Sequence, residues 1–133
     1  IKKSNELLGY IKGRVVHGRA LGRTIGIPTV NLSVPHDKLL PPKGVYMSRV
    51  LVRDNWYLGV TNIGCKPTIE GKNPIGAETY IIDFGQDVYG QDIMVELHKF
   101  VRPEMKFDSI EALKSQMSAD INYTINYAGS HTF

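Results

Sequence analysis

The sequence predicts a mainly β domain, a closed barrel or a sandwich of short strands, with one helix at its C-terminal end. Three observations carry this. From Gly44 to Val101, short runs of β-branched and aromatic residues alternate with turn-forming Gly, Pro, Asn and Asp. Near the end, Ile110, Leu113, Met117 and Ile121 recur at helical spacing. The chain has 133 residues, 42% of them hydrophobic, which suits one compact domain with one core. No internal repeat or low-complexity tract is visible.

Residues 1–9 are short and half polar, and read as an N-terminal arm or the end of a linker. Within them Asn5–Leu8 could be the tail of a helix stopped by Gly9. The domain proper spans 10–128. Residues 10–17 read as a strand, favoured by Val15 and Val16. Residues 18–27 form a glycine-rich loop. Pro28 fixes φ and removes a donor, so 29–32 is expected as an edge or ligand-facing strand. Residues 33–43 carry Pro35, Pro41 and Pro42 and form a surface connection.

Strands then follow at 44–53, 56–64, 77–84 and 93–101. Asp54 and Asn55 make the turn between the first two. Residues 65–76, rich in Pro and Gly, form a loop, and 85–92 a turn-rich connection. A helix is expected over 109–126, capped by Asp108 or Ser109, with Glu111 placed favourably in its first turn. Its apolar stripe is expected to pack on the barrel. Gly129 falls past its end, and 129–133 form a tail.

Composition excludes several function classes. The formal net charge is +3, a mild basic excess that fits an anionic nucleotide. No long Lys/Arg run asks for nucleic acid, and one tryptophan gives little aromatic interleaving. The single cysteine, Cys65, allows no disulfide within the chain, in agreement with a reducing cytoplasm. No apolar run approaches the ~20 residues that span a bilayer. Nothing forces an oligomer, so a monomer is expected. The first residue is Ile1 rather than Met, so a fragment of a longer protein, or a chain whose start is trimmed or missing, is expected.

Chemistry gathers at two places. Gly26-Ile27-Pro28-Thr29-Val30-Asn31 closes a run crowded with glycines and arginines. Glycine permits close backbone approach to a ligand, and arginine supplies charge for phosphate. Thr29 and Asn31 stand two apart, so in an extended segment they share a face. Their hydroxyl and amide oxygens are hard, neutral donors suited to Mg2+ that is also held by nucleotide phosphates. The plainer reading is a glycine-rich hairpin with a polar turn. The second place is Glu78, at the head of an apolar strand. It alternates in phase with Tyr80, Ile82 and Phe84, opposite to Thr79, Ile81 and Asp83. A carboxylate on an apolar row is costly unless it opens onto a site, and desolvation there would suit it to act as a base. The plainer reading is an exposed strand-end carboxylate. The four histidines are scattered and take no catalytic role.

These motifs, in this order, resemble the riboflavin kinase (flavokinase) family. The chain offers Gly13, Val15 and Gly18, then Gly26 to Asn31, then Gly44-Val45-Tyr46 and Asn62-Ile63-Gly64-Cys65-Lys66-Pro67-Thr68. Ala77-Glu78-Thr79, Asp87-Val88-Tyr89-Gly90 and a segment from Phe100 to Phe107 follow. Val30 stands where Ala is usual and Cys65 where a basic residue is common; neither is asked to ligate metal. The resemblance spans about residues 8 to 121. It implies a six-stranded Greek-key closed β-barrel with the C-terminal helix packed on it. It also implies transfer of the γ-phosphoryl group of ATP to the 5′-hydroxyl of riboflavin, giving FMN and ADP.

Carried over residue by residue, the resemblance makes Glu78 the catalytic base and Thr29 and Asn31 the ligands of Mg2+ or a similar divalent ion. It assigns ATP contacts to Gly18, Arg23, Thr29, Asn31, Ile81, Asp83 and Tyr89. It assigns flavin contacts to Arg102, Met105 and Phe107. It further implies an FMN adenylyltransferase domain linked ahead of residues 1–9, as in bacterial bifunctional riboflavin kinase/FAD synthetases. Two other readings stand beside it. One is an inactive flavin- or nucleotide-binding module of the same fold, disfavoured by Thr29, Asn31 and Glu78 occurring together. The other is a small barrel that binds nucleic acid, disfavoured by the mild charge.

Overall fold

The computed structural model describes residues 8–16, 29–33, 41–65, 75–85 and 88–130. Among them run β1 (Gly9–Val16), β2 (Val30–Ser33), β3 (Gly44–Val52), β4 (Asn55–Cys65), β5 (Ile75–Ile81), β6 (Asp92–Arg102) and one helix, α1 (Ile110–Ser130). The strands close into a barrel in the order β1-β2-β5-β4-β3-β6, every neighbouring pair antiparallel. β3, β4 and β5 form a meander, and β6 returns beside β3, which is a Greek key. The helix packs against β4.

Strand alternation divides the residues into two sets. Inward face Ile11, Leu32, Val50, Ile63, Ala77, Val95 and Leu97, all nearly or wholly buried. Such a row on each of six strands fills a small barrel with side chains. One polar group interrupts this core. The buried Thr61 hydroxyl donates to Ser48 Oγ (2.9 Å) and, with its one proton committed there, accepts from Thr79 Oγ1 (2.9 Å). We expect Thr61→Val to cost roughly 1–3 kcal/mol, because two buried hydroxyls lose their shared partner. Chemical denaturation checks this: an unchanged midpoint would mean that Ser48 and Thr79 re-pair with each other.

The rim is set by β3. Gly44 begins it at φ 149°, where an added Cβ would collide with the Phe100 ring. The Tyr46 ring meets Phe100 edge-on at 5.3 Å, and its hydroxyl donates to the Pro42 carbonyl (2.5 Å). Burial raises the Tyr46 pKa above the usual tyrosine value and so keeps the phenol a donor.

Four details differ from the sequence-based expectations. β2 is no edge: it pairs with β1 (Val16 opposite Asn31) and with β5 (Asn31 opposite Glu78), because barrel closure removes edges. The β3–β4 turn lies one residue earlier, at Arg53 (φ 48°) and Asp54 (φ 69°), with Asn55 opening β4. Two successive positive φ values give the primed turn whose twist matches a tight hairpin. β5 starts at Ile75 and stops at Ile81, with Ile82 and Asp83 turning. Phe84 therefore leaves the Glu78 face and packs edge-on against Tyr57 (4.9 Å) at the core. Finally, α1 runs to Ser130, so Gly129 lies inside it. Its cap is Ser109, whose Oγ accepts from the Ala112 amide at 3.1 Å.

Candidate active site

The site grows from one row of opposed residues across five strands. Asn31 stands opposite Glu78, Glu78 opposite Asn62, Asn62 opposite Val45, and Val45 opposite Arg102. Directly opposed residues project to the same face of a sheet. Their chain neighbours Leu32, Ala77, Ile63 and Tyr46 belong to the core, so the row lies on the outer wall of the barrel. The residues after β6 and the helix α1 cover it.

Between this wall and the helix lies a cavity of about 460 Å³. Val45, Val60 and Tyr80 form its apolar floor; Leu113, Met117 and Ile121 form its roof. Thr29, Glu78 and Asn62 bring polar atoms to it, and Met105 and Phe107 line it from the segment after β6. The helical stripe read from the sequence thus faces the barrel, and where Leu113, Met117 and Ile121 line the cavity it does so across a gap.

Besides its contact with β4, a polar clasp holds the helix. Its two buried residues are Asp120 and Thr124, at 4% and 0% exposure. The Arg102 guanidinium grips Asp120 with its Nε–Nη2 edge: Nε donates to Oδ1 and Oδ2 (3.1 and 3.2 Å), and Nη2 donates to Oδ2 (2.7 Å). Gln116 Nε2 adds a bond to Asp120 Oδ1 at 3.0 Å. Bidentate arginine–carboxylate pairs fix orientation as well as distance. This clasp sets the middle of the helix against the row.

Several cavity residues were absent from the predicted site set, Glu104 and Asn62 among them. Glu104 projects its carboxylate over Gly64, where an added Cβ would collide with it. A glycine inside a strand was the available signal, since it often marks close approach. Asn62 Oδ1 is buried and, among the described residues, has no hydrogen-bond partner.

The expected site residues separate into groups. Glu78, Thr29, Arg102, Met105 and Phe107 all line the cavity, and Asn31 stands beside Glu78 in the row, buried at 4%. Ile81 sits in the core, so its side chain is turned away from any ligand on the outer wall. Asp83 and Tyr89 are exposed outside the cavity. Gly18 and Arg23 lie outside the described residues. Chain direction nevertheless collects several of these at one rim. β1 ends at Val16, and Thr29 directly precedes β2; the β5 end carries Ile81 and Asp83 to the same rim. Tyr89 is brought there by the Gly90 amide, which donates to the Val15 carbonyl (2.9 Å). Thr29 and Glu78 stand where this rim meets the cavity. Among the described residues no cluster of three His, Cys, Asp or Glu side chains could hold a metal by itself. No helix there is long and apolar enough to cross a membrane.

Comparison with known proteins gives this arrangement a family. The family model described as riboflavin kinase matches residues 8–128. The chain belongs to the riboflavin kinase family. It is homologous to the kinase module of the bifunctional riboflavin kinase/FMN adenylyltransferase of Bacillus subtilis, 42% identical over 132 residues, which cover 96% of this chain and 42% of that protein. The chain thus spans about two fifths of the length of the curated relatives it matches. A solved structure named as a macrolide-efflux protein from Streptococcus pneumoniae superposes with a TM-score of 0.80 at 38% identity. That match covers 88% of this riboflavin kinase family chain and 38% of the other. The riboflavin kinase of Trypanosoma brucei shares the fold, with a TM-score of 0.64 at 22% identity over 90% of this chain and 76% of that one.

Proposed function

We propose that this chain transfers the γ-phosphoryl group of ATP to the 5′-hydroxyl of riboflavin. One observation carries the reading: Glu78 stands at the junction of an apolar cavity with the barrel rim. Phosphoryl transfer needs little else than alignment, charge neutralisation and a proton acceptor. The flavin ring fits between the floor of Val45, Val60 and Tyr80 and the roof of Leu113, Met117 and Ile121, with Met105 and Phe107 at its edge. Arg102 serves the flavin side by fixing the helix and by standing 5.9 Å from the Phe107 ring centre. The nucleotide takes the rim, near Thr29, Asp83 and Tyr89; the family resemblance adds Gly18 and Arg23, which lie outside the described residues.

In the step itself, Glu78 accepts the proton of the 5′-hydroxyl. The freed oxygen bonds to the γ-phosphorus as the bond to the ADP oxygen breaks. Thr29 Oγ1 and Asn31 Oδ1 are hard, uncharged donors beside that carboxylate and fit a Mg2+ ion that ATP itself helps to hold. Held there, such an ion would supply charge neutralisation on the transferring phosphate. As its bacterial relatives' names indicate for them, this module works joined to an FMN adenylyltransferase that consumes its product.

Riboflavin, ATP and Mg2+ mixed with the chain should yield FMN only when all three are present, read by chromatography with fluorescence detection. Riboflavin bound but never converted under these conditions would overturn the reading. For the metal, Thr29→Val with Asn31→Leu should abolish the Mg2+ dependence of ATP binding. An unchanged Mg2+ titration would remove both residues from that role.

A further inference from the structure

We infer that Asn62 binds the polyol chain of the acceptor, its carboxamide oxygen accepting a hydrogen bond from a ribityl hydroxyl. The inference rests on the riboflavin kinase reading and adds a residue that selects for the substrate's side chain rather than its ring. The starting observation is the buried Asn62 Oδ1, which has no donor among the described residues although it lines the cavity. Buried polar atoms are nearly always paired, so an orphan at a cavity wall marks where a ligand completes the bond.

Position identifies the ligand group. Asn62 is directly opposite Glu78 on one side and Val45 on the other. Opposed side chains have Cβ atoms about 4.5–5.5 Å apart. A substrate with its ring over Val45 and its reacting hydroxyl at Glu78 must pass its connecting chain over Asn62. Charge points the same way. Glu104, lying over Gly64 two residues further along the strand, is an acceptor like Glu78 and Asn62 Oδ1. A wall of acceptors repels phosphate and suits a chain of hydroxyl donors. Asn62 and Asn31 flank Glu78 on opposite sides, two strand spacings or roughly 10 Å apart from backbone to backbone, so the polyol and metal roles fall to different sides of the carboxylate.

The test compares two flavins on the same protein: riboflavin, and lumiflavin, which has the same ring and a methyl group in place of the ribityl chain. Dissociation constants are read by flavin fluorescence in the presence of ADP and Mg2+, for the wild type, Asn62→Leu and Asn62→Ala. Both variants remove the acceptor, one keeping volume and one reducing it. We expect riboflavin to weaken about 10-fold in each and lumiflavin to stay within about twofold. Because the readout is a ratio, partial unfolding cancels. Equal losses for both flavins, or no loss for either, would overturn the inference while wild-type binding still upheld the kinase reading. Failure of the wild type to bind riboflavin would overturn the kinase reading itself.

Discussion

Glu78→Gln is expected to bind riboflavin and ATP about as well as the wild type and to lose about 10²- to 10⁴-fold in kcat, the usual contribution of a positioned base. The substitution keeps the shape of the side chain and removes its capacity to take a proton. Glu78 stands between Asn31 and Asn62 in the row and lines the cavity, so its neighbours remain in place when the charge is lost. Single-turnover kinetics with ATP and Mg2+, alongside flavin binding, separates the two effects. A variant with near-native kcat would take Glu78 out of the mechanism. A loss confined to KM would make it a binding residue.

Asp120→Ala is expected to destabilise the domain by about 3–5 kcal/mol, because it leaves the Arg102 guanidinium largely buried without its carboxylate. Arg102 and Asp120 side chains are 15% and 4% exposed, so solvent can replace little of the lost interaction. In a domain of this size the melting temperature should fall by roughly 10 °C or more. Riboflavin should also bind less tightly than ATP loses, since the clasp positions the helix that roofs the cavity. Arg102→Met combined with Asp120→Leu should recover much of the stability, because no unpaired charge remains. An Asp120→Ala protein melting within a degree or two of the wild type would show that α1 is held by other contacts.

Much of this was legible in the sequence because the signals were local. β3 and β4 announce themselves by β-branched and aromatic residues, and Ser109 by its place before a helical stripe. The β3–β4 turn was missed by one residue because Asp and Asn are the expected turn formers, whereas Arg53 takes a positive φ that its side chain does not advertise. Its Nε is held by Gln91 Oε1 at 3.1 Å, a tertiary partner invisible in the chain. Periodicity put Leu113, Met117 and Ile121 on one helical face but says nothing about how far that face stands from the barrel. The cavity exists in that distance. Asp120 could have been noticed, since it falls within the apolar stripe, three residues after Met117, where a lone carboxylate needs a partner. Which arginine supplies that partner depends on β6 reaching the helix, a long-range fact. Asn62 looked like one more polar residue of a motif until register set it opposite Glu78.

The closure of β1 onto β6 bears on the order in which the chain can assemble. Gly9 to Arg14 have their partners in residues 92–97, so the first strand waits for the last one to be synthesised. Until then the β3–β4–β5 meander can form from near neighbours, while β1 carries an unsatisfied backbone edge. Pairings this distant slow folding and expose edges to wrong partners in the meantime. Arg102 ends β6, and Asp120 follows in the helix, so their union comes after the ring is complete. On this ordering the cavity is the final part of the molecule to take shape, and a nascent chain lacking α1 has its wall but no roof.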